Sequence, residues 1–204
     1  MSIPSSEIFA VLTAISFAAG LNVYATVATL GLLAHAGVIT LPPGLHLLSN
    51  WYVIACCGVL FLMEFFADKF PVFDLLWNAL QTFVRVPVAA LVAYGAAAQL
   101  SPGMQLLATL LGGAVALAAH GGKTAIRAAV TPSPEPFSNI GLSLGEDALA
   151  VFLTWFATGH PYLAAALALA VVLVIVILMR SVLSALGSMF RRAEDEIDLL
   201  MNRE

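Results

Sequence analysis

Residues 161–186 read PYLAAALALAVVLVIVILMRSVLSAL, and Arg180 is the one charged residue among them. A transmembrane helix needs about 20 apolar residues, because the hydrocarbon core of a bilayer is about 30 Å thick. This stretch therefore predicts a helix that spans a membrane. Further stretches of the same character, some with polar interruptions, cover residues 8–36, 51–67, 72–98, 103–129 and 142–158. We predict an all-α, polytopic membrane protein with about six transmembrane helices, some of them broken or kinked.

The composition of the 204-residue chain excludes most other classes of protein. Hydrophobic residues make up 61% of the chain and charged residues 10%, whereas a soluble domain is typically about half apolar and about a quarter charged. Eight Lys and Arg residues against twelve Asp and Glu residues do not provide the basic field of a nucleic-acid binder. We expect the lipid bilayer as partner, one transmembrane domain at 1–190 and a charged tail at 191–204.

Basic residues indicate the orientation of the chain in the membrane. Lys69 lies between the second and third predicted spans, and Lys123 and Arg127 lie near the end of the fourth. Arg85 lies inside the third span, Arg180 lies near the end of the sixth, and the tail carries Arg191, Arg192 and Arg203. Residues 37–50, 99–102 and 159–160 contain no Lys or Arg. Cytoplasmic loops carry an excess of Lys and Arg. An even number of spans then predicts that both termini and the tail lie in the cytoplasm.

Polar side chains recur at helical spacing inside the predicted spans. Asp74, Asn78, Gln81 and Arg85 follow one helical stripe, and Glu64 and Asp68 lie four residues apart on another helix. Charges inside a membrane are costly and normally face a partner or a water-filled cavity. We therefore predict a funnel of polar side chains that opens to the cytoplasm. Its residues, which would bind an ion or solute, are Asn22, Glu64, Asp68, Asp74, Gln81, Arg85, His120, Lys123, Arg127, Asn139, Glu146 and Asp147.

The carboxylates of the funnel raise the question of a bound cofactor. We assign no catalytic residue, and the sequence leaves a cofactor undetermined. Carboxylate oxygens would suit a divalent cation as cofactor, and its ligands would come from Glu64, Asp68, Glu146 and Asp147.

The backbone near the funnel is expected to be irregular. Gly20, Leu21 and Asn22 predict a loosened first helix. Broken helices are a common feature of transporter binding sites.

Three functions remain open at this point. We favour transport or channel-like permeation of an ion or small polar solute. One alternative is a structural or assembly protein held together by a buried ion-pair network, and another is a membrane enzyme in which Lys123 and Arg127 hold the phosphate of a lipid. Soluble-enzyme fingerprints such as a phosphate-binding glycine loop are missing from the sequence, which favours a non-enzymatic role. Small residues at Gly112, Gly113 and Ala116 would allow a homodimer or close packing within one chain.

A set of motifs along nearly the whole chain resembles a known family. The motifs are Gly20-Leu21-Asn22, Glu64-x-x-x-Asp68-Lys69-x-Pro71-x-x-Asp74, Gln81-x-x-x-Arg85, His120-x-x-Lys123-x-x-x-Arg127, Pro136-x-Ser138-Asn139 and Glu146-Asp147. Together they resemble the bacterial integral-membrane family named domain of unknown function 4126. The resemblance implies a small multi-pass protein of the bacterial inner (cytoplasmic) membrane and carries no established activity.

Overall fold

A computed structural model describes residues 4–69, 71–130 and 136–201 of the chain; side chains at 71–75, 128–130, 136–139, 182–183 and 185–201 are outside this description. The described residues form α-helices joined by short connections, with a 3₁₀ helix at Pro43–Ser49. The α-helices are α1 at Ser5–Leu21, α2 at Val23–His35, α3 at Trp51–Ala67, α4 at Pro71–Ala96, α5 at Pro102–Val130, α6 at Pro136–Gly159 and α7 at Pro161–Met201. The all-α class is confirmed, and α7 continues through 191–201, the first part of the predicted tail.

Four described helices are long and apolar enough to cross a membrane. These candidate spans are Leu76–Ala96, Pro102–Arg127, Ile140–Gly159 and Pro161–Ser181. The 3₁₀ helix and α3 form a fifth if they are counted as one span bent by 64°. Many large apolar side chains of these helices face outward, among them Leu169 and Leu173 of α7, as lipid contact requires. The polytopic membrane class follows from these lengths and surfaces.

The first predicted span, residues 8–36, is divided into two shorter helices. Asn22 adopts an extended backbone (φ −149°, ψ 102°) between α1 and α2, which have 17 and 13 residues. Ile15 of α1 and Leu30 of α2 belong to the same apolar cluster, although 15 residues separate them. A continuous helix rising about 1.5 Å per residue would hold these side chains more than 20 Å apart. The chain therefore reverses at Asn22, and α1 and α2 form a re-entrant hairpin.

This reversal fixes the two ends of the bundle. Glu7, near the start of α1, lines the same cavity as Val38, Gln99 and Thr158, and the Ser6 hydroxyl lies 3.0 Å from that of Tyr162. We call this end, with the connections at 36–50, 97–101 and 159–160, the loop end. The opposite end, where α3 ends near Lys69 and toward which α7 runs, is the tail end.

The number of spans and the position of the N-terminus differ from the expectation. Within the described ranges, four spans, or five with the bent pair, take the place of the predicted six, because α1 and α2 are each shorter than a bilayer. The prediction that both termini lie on one side needs correction: the described start of α1 lies at the loop end, whereas α7 runs from the loop end toward the tail end. A re-entrant hairpin returns the chain to the side on which it began.

Small residues allow α1 to lie in the middle of the bundle, where it contacts α4, α5, α6 and α7. Phe17, Ala18 and Ala19 are fully or almost fully buried. A Cβ atom on Gly20 would lie 2.4 Å from the carbonyl oxygen of Ala116 on α5, so glycine is required there for the close approach. The glycines and alanines of α5 that could serve a homodimer, such as Gly112 and Ala116, pack within the chain.

Candidate functional site

The break at Asn22 exposes backbone groups in the middle of the bundle. The last residues of an α-helix have carbonyl groups without partners inside the helix. At the end of α1, Arg85 Nη1 donates to the Gly20 carbonyl oxygen (3.3 Å) and Lys123 Nζ donates to that of Leu21 (3.2 Å). These carbonyls carry the negative end of the helix dipole. Two cations from other helices thus stabilise the broken end of α1.

A group of ionisable side chains surrounds this break, and we call it the charged cluster. It consists of Glu64, Asp68, Arg85, His120, Lys123, Arg127, Glu146 and Asp147, which come from α3, its C-cap residue Asp68, α4, α5 and α6. These side chains are buried, apart from Glu146, which is 12% exposed. Apart from Asp147, which accepts a hydrogen bond from Asn22, each of them contacts at least one other member directly, so the described residues form a closed cluster where the sequence predicted an open funnel.

Glu64 joins α3 to α4 and α5. Its Oε1 atom forms an ion pair with Arg85 Nη2 and accepts a hydrogen bond from Lys123 Nζ at 3.3 Å. All three side chains are inaccessible to solvent. Charge-assisted hydrogen bonds of this kind are the strongest in proteins. Glu64 therefore holds two cations at the level of the α1 break.

A second group of contacts lies about one helical turn closer to the tail end. Arg127 Nη2 donates to Asp68 Oδ2 (2.7 Å) and to Glu146 Oε2 (2.6 Å). The Ser143 hydroxyl also donates to Asp68 Oδ2 (3.2 Å). These contacts connect α3, α5 and α6.

Lys123 lies between the two groups and links them. Its Nζ atom is 3.3 Å from Glu64 Oε1, 3.6 Å from Asp68 Oδ2 and 3.3 Å from Glu146 Oε2. Lysine differs from arginine in being a compact point charge on a flexible stem. It can therefore move between neighbouring carboxylates without breaking a planar, bidentate contact.

His120 continues the network toward α4. Arg85 Nη1 lies 3.1 Å from His120 Nδ1, and because a guanidinium nitrogen can only donate, Nδ1 accepts. The ring is therefore neutral, and its proton lies on Nε2. That nitrogen is 3.1 Å from the Asn78 carbonyl oxygen and 2.8 Å from the Thr82 hydroxyl.

Asp147 of α6 occupies a different environment from the other carboxylates. Its Oδ1 atom accepts a hydrogen bond from Asn22 Nδ2 at 2.8 Å. Asn22 also caps α2, because its Oδ1 atom accepts from the Ala25 backbone N–H at 2.9 Å. The residue at the helix break is thus tied through one side chain to α2 and α6.

The remaining predicted site residues lie apart from the cluster or outside the described side chains. Gln81 of α4 donates from Nε2 to the Tyr24 hydroxyl of α2 (3.1 Å). Asp74 and Asn139 lie in α4 and α6, but their side chains fall outside the described part of the structure. Among the predicted metal ligands, Glu64, Asp68 and Glu146 contact Lys and Arg side chains, and Asp147 contacts the Asn22 amide. No group of three or more His, Cys, Asp or Glu side chains is placed to hold a metal ion among the residues described.

Sequence reasoning missed several groups in these contacts. The carbonyl oxygens of Gly20 and Leu21 carry no signal in a sequence beyond the glycine itself. Tyr24 and Thr82 lie one or two residues from predicted site residues, and the helical period that placed Asn78 and Gln81 on one stripe could have extended to Thr82.

A cavity of about 430 Å³ opens at the loop end, away from the charged cluster. Ile15, Leu30 and Val92 line its deep part, and Glu7 and Gln99 are among the polar residues of its wall. Ile15 precedes Gly20 by five residues of α1, which corresponds to about 7 Å along a helix. The buried residues 16–19 of α1, which are apolar except for Ser16, therefore form a thin layer between this cavity and the cluster.

Comparison with known proteins identifies the family. The model of the family described as domain of unknown function (DUF4126) matches residues 9–181. Because this match covers most of the chain, the protein belongs to that family, as its motifs indicated. No curated protein and no solved structure matches the chain.

Proposed function

We propose that this member of a family of unknown function is a membrane transporter that moves an ion or small polar solute past the charged cluster. The observation that supports the proposal is the convergence of seven buried or nearly buried acidic and basic side chains on the broken end of α1. Helices interrupted near the middle of the membrane, with charged groups at the break, are typical of transporter binding sites.

The energetics of the cluster favour this role over simple support of the fold. Replacing a buried ion pair by well-packed apolar side chains is often neutral or stabilising, so a membrane bundle gains little from Glu64 and Arg85 as mere packing. Ionisable residues inside a membrane typically mark ion or substrate pathways and proton relays. The cluster is therefore better explained as a site that a charged or polar solute enters.

The arrangement of cavity, apolar layer and cluster corresponds to a closed state of such a transporter. The loop-end cavity reaches Ile15 and Leu30, and the cluster approaches the tail end through Glu146, which is its partly exposed member. Rocking of the α1–α2 hairpin against α5 would open the layer beside Gly20. We assign the tail end, with Lys69, to the cytoplasmic side of a bacterial inner membrane by the positive-inside rule.

The test is solute flux in proteoliposomes with labelled sodium, rubidium, manganese, chloride and phosphate. We expect wild-type protein to accelerate flux of at least one of them. Asp68→Asn should lower that rate about tenfold or more, because a hydrogen bond to a charged group is worth about 1.5–3 kcal/mol. Arg127 still contacts Glu146 in that variant, so the fold is retained. Arg180→Gln, which removes an exposed charge of α7, is the matched control and should leave the rate unchanged.

One observation favours a second candidate, a structural ion-pair network: each of Arg85, Lys123 and Arg127 contacts at least one carboxylate. In that case Asp68→Asn would lower the free energy of unfolding, and no probe would cross the membrane faster with protein than without it. The same contacts argue against the lipid-enzyme alternative, because Lys123 and Arg127, the two cations that would hold a phosphate, already form ion pairs with carboxylates.

A further inference from the structure

The charges of the cluster do not balance. Four carboxyl groups face three cations, Arg85, Lys123 and Arg127, and the contact from Arg85 leaves His120 neutral. With every carboxyl group ionised, the described cluster would carry one excess negative charge. A buried charge without compensation is strongly unfavourable and is commonly removed by a change of protonation.

The contacts indicate which carboxyl group is protonated. Glu64, Asp68 and Glu146 each contact Lys123 and an arginine. Asp147 forms no ion pair with the described residues, and its hydrogen-bond donor, Asn22, is neutral. Its Oδ2 atom is buried without a hydrogen-bond partner among the side chains described, and the residue is only 6% exposed.

Three charged side chains of the surrounding helices interact electrostatically with Asp147. They are Lys123 of α5, Glu64 of α3 and Asp68 at the end of α3. The α1–α2 break presents the Asn22 amide, and Arg180, the charged residue of α7 whose side chain is described, is exposed. The remaining charged groups of the cluster are Arg85, Arg127 and Glu146, with neutral His120. Lys123 is thus the described cation whose positive charge acts on Asp147. Three other carboxylates, those of Glu64, Asp68 and Glu146, already contact it.

We propose that Asp147 carries a proton in this conformation and that the cluster takes up and releases one H⁺ through this side chain. A proton needs a single free oxygen, which Oδ2 provides, whereas a divalent cation needs several oxygen ligands, and those nearby contact Lys and Arg. Uptake forms an O–H bond at Oδ2 with a proton from water at the tail end, where Glu146 is partly exposed, and release returns that proton to water. This inference rests on the proposed transport function and makes H⁺ its coupling ion.

Infrared spectroscopy of the full chain in lipid bilayers at pH 7 tests the proposal without any transported solute. We expect the C=O stretching band of a protonated, buried carboxylic acid in the wild type. The band should be lost in Asp147→Asn and kept in Glu7→Gln, the matched control, which removes a carboxyl group at the loop end outside the charged cluster. If Asp147→Asn does not fold, isotopic labelling of the aspartate side-chain carboxyl carbon should shift the wild-type band, which assigns it to an aspartate and excludes Glu64 and Glu146. Asp68, the other described aspartate of the cluster, contacts Lys123 and Arg127, so Asp147 is the described aspartate of the cluster without a cation contact.

Absence of the band, or a band that persists in Asp147→Asn or does not shift with labelled aspartate, overturns the proposal. The result is separable from the proposed function. Wild-type protein that shows the band but moves none of the labelled ions would overturn transport alone, and flux without the band would overturn the proton site alone.

Discussion

Lys123 Nζ lies 3.2 Å from the carbonyl oxygen of Leu21, the last residue of α1. This contact joins a cation of α5 to the end of the re-entrant hairpin, where the carbonyl groups lack partners within the helix. Arg85 makes the corresponding contact with Gly20. The broken helix and the buried cations therefore stabilise each other, and neither is expected to survive unchanged without the other.

The hairpin makes a prediction about topology. In protein whose native cysteines, Cys56 and Cys57, are replaced by Ala, we expect Ser5→Cys and His160→Cys to react with a membrane-impermeant thiol reagent from one side. Lys69→Cys should react from the other, because the described N-terminal residues and the 159–160 connection both lie at the loop end. Labelling of intact cells and of inverted vesicles measures this. Reaction of Ser5→Cys and Lys69→Cys from the same side would contradict the hairpin.

The close approach of α1 to α5 predicts the cost of adding one methyl group. Gly20→Ala would place a Cβ atom 2.4 Å from the Ala116 carbonyl oxygen and 2.7 Å from the Ala119 Cβ atom. Overpacking of this kind costs about 1–3 kcal/mol, and backbone cannot move aside as a flexible side chain does. We expect a correspondingly lower free energy of unfolding in detergent micelles.

Gly121→Ala on α5 is the control for Gly20→Ala. A Cβ atom there meets nothing within 4 Å, and replacing a glycine inside a helix by alanine gains roughly 0.5–1 kcal/mol. The two glycine variants should therefore shift stability in opposite directions. Equal effects would mean that α1 does not contact α5 closely at Gly20.

The sequence predicts the class of this protein and much of its site, for identifiable reasons. An apolar stretch such as 161–186 has few alternatives to a membrane span. Helical spacing places Gln81 and Arg85 on one stripe of α4, and costly charges inside a membrane must find partners. The sequence also predicts a loosened first helix at Gly20, Leu21 and Asn22, since glycine and asparagine are poor helix formers.

The reversal at Asn22 could not be predicted from local sequence. Residues 8–36 are long and apolar enough to cross a bilayer, and the fit of Gly20 against Ala116 depends on a helix that lies almost a hundred residues later. The closure of the cluster has the same origin. Spacing shows that Glu64 and Arg85 point inward, whereas only helix packing determines that they touch.

Asn22 has two separable roles, and substitutions can resolve them. Asn22→Ala should cost about 1 kcal/mol for the lost N-cap of α2 and about 1 kcal/mol more for the lost hydrogen bond to Asp147. Asn22→Ser keeps a capping oxygen but is too short to reach Asp147, so it should lose only the second contribution. Asn50→Ala, which removes the exposed cap of α3 at Tyr52, should show only the first. If Asn22→Ala costs no more than Asn50→Ala, the bond to Asp147 does not contribute to stability.

The ion pair between Glu64 and Arg85 predicts strong coupling between two substitutions. Glu64→Gln leaves Arg85 buried without its carboxylate, and breaking a buried pair in this way costs about 3–5 kcal/mol. Arg85→Gln should cost less, because Lys123 Nζ remains 3.3 Å from Glu64. The double variant should be more stable than the sum of the two losses implies, by roughly 0.5–3 kcal/mol, the range found for residues in contact. Equilibrium unfolding of the four proteins measures this coupling.

A second cycle shows whether that coupling comes from the contact. This cycle combines Arg85→Gln, in the charged cluster, with Asn50→Ala, at the exposed cap of α3 at the loop end. The two side chains share no hydrogen-bond partner among the described residues. Distant substitutions add within about 0.3–0.5 kcal/mol, so this pair should be additive. If the Glu64 and Arg85 substitutions are additive as well, the two side chains do not interact in the folded protein. Lys123 alone would then neutralise Glu64, and the guanidinium group at the end of α1 would need a different anion.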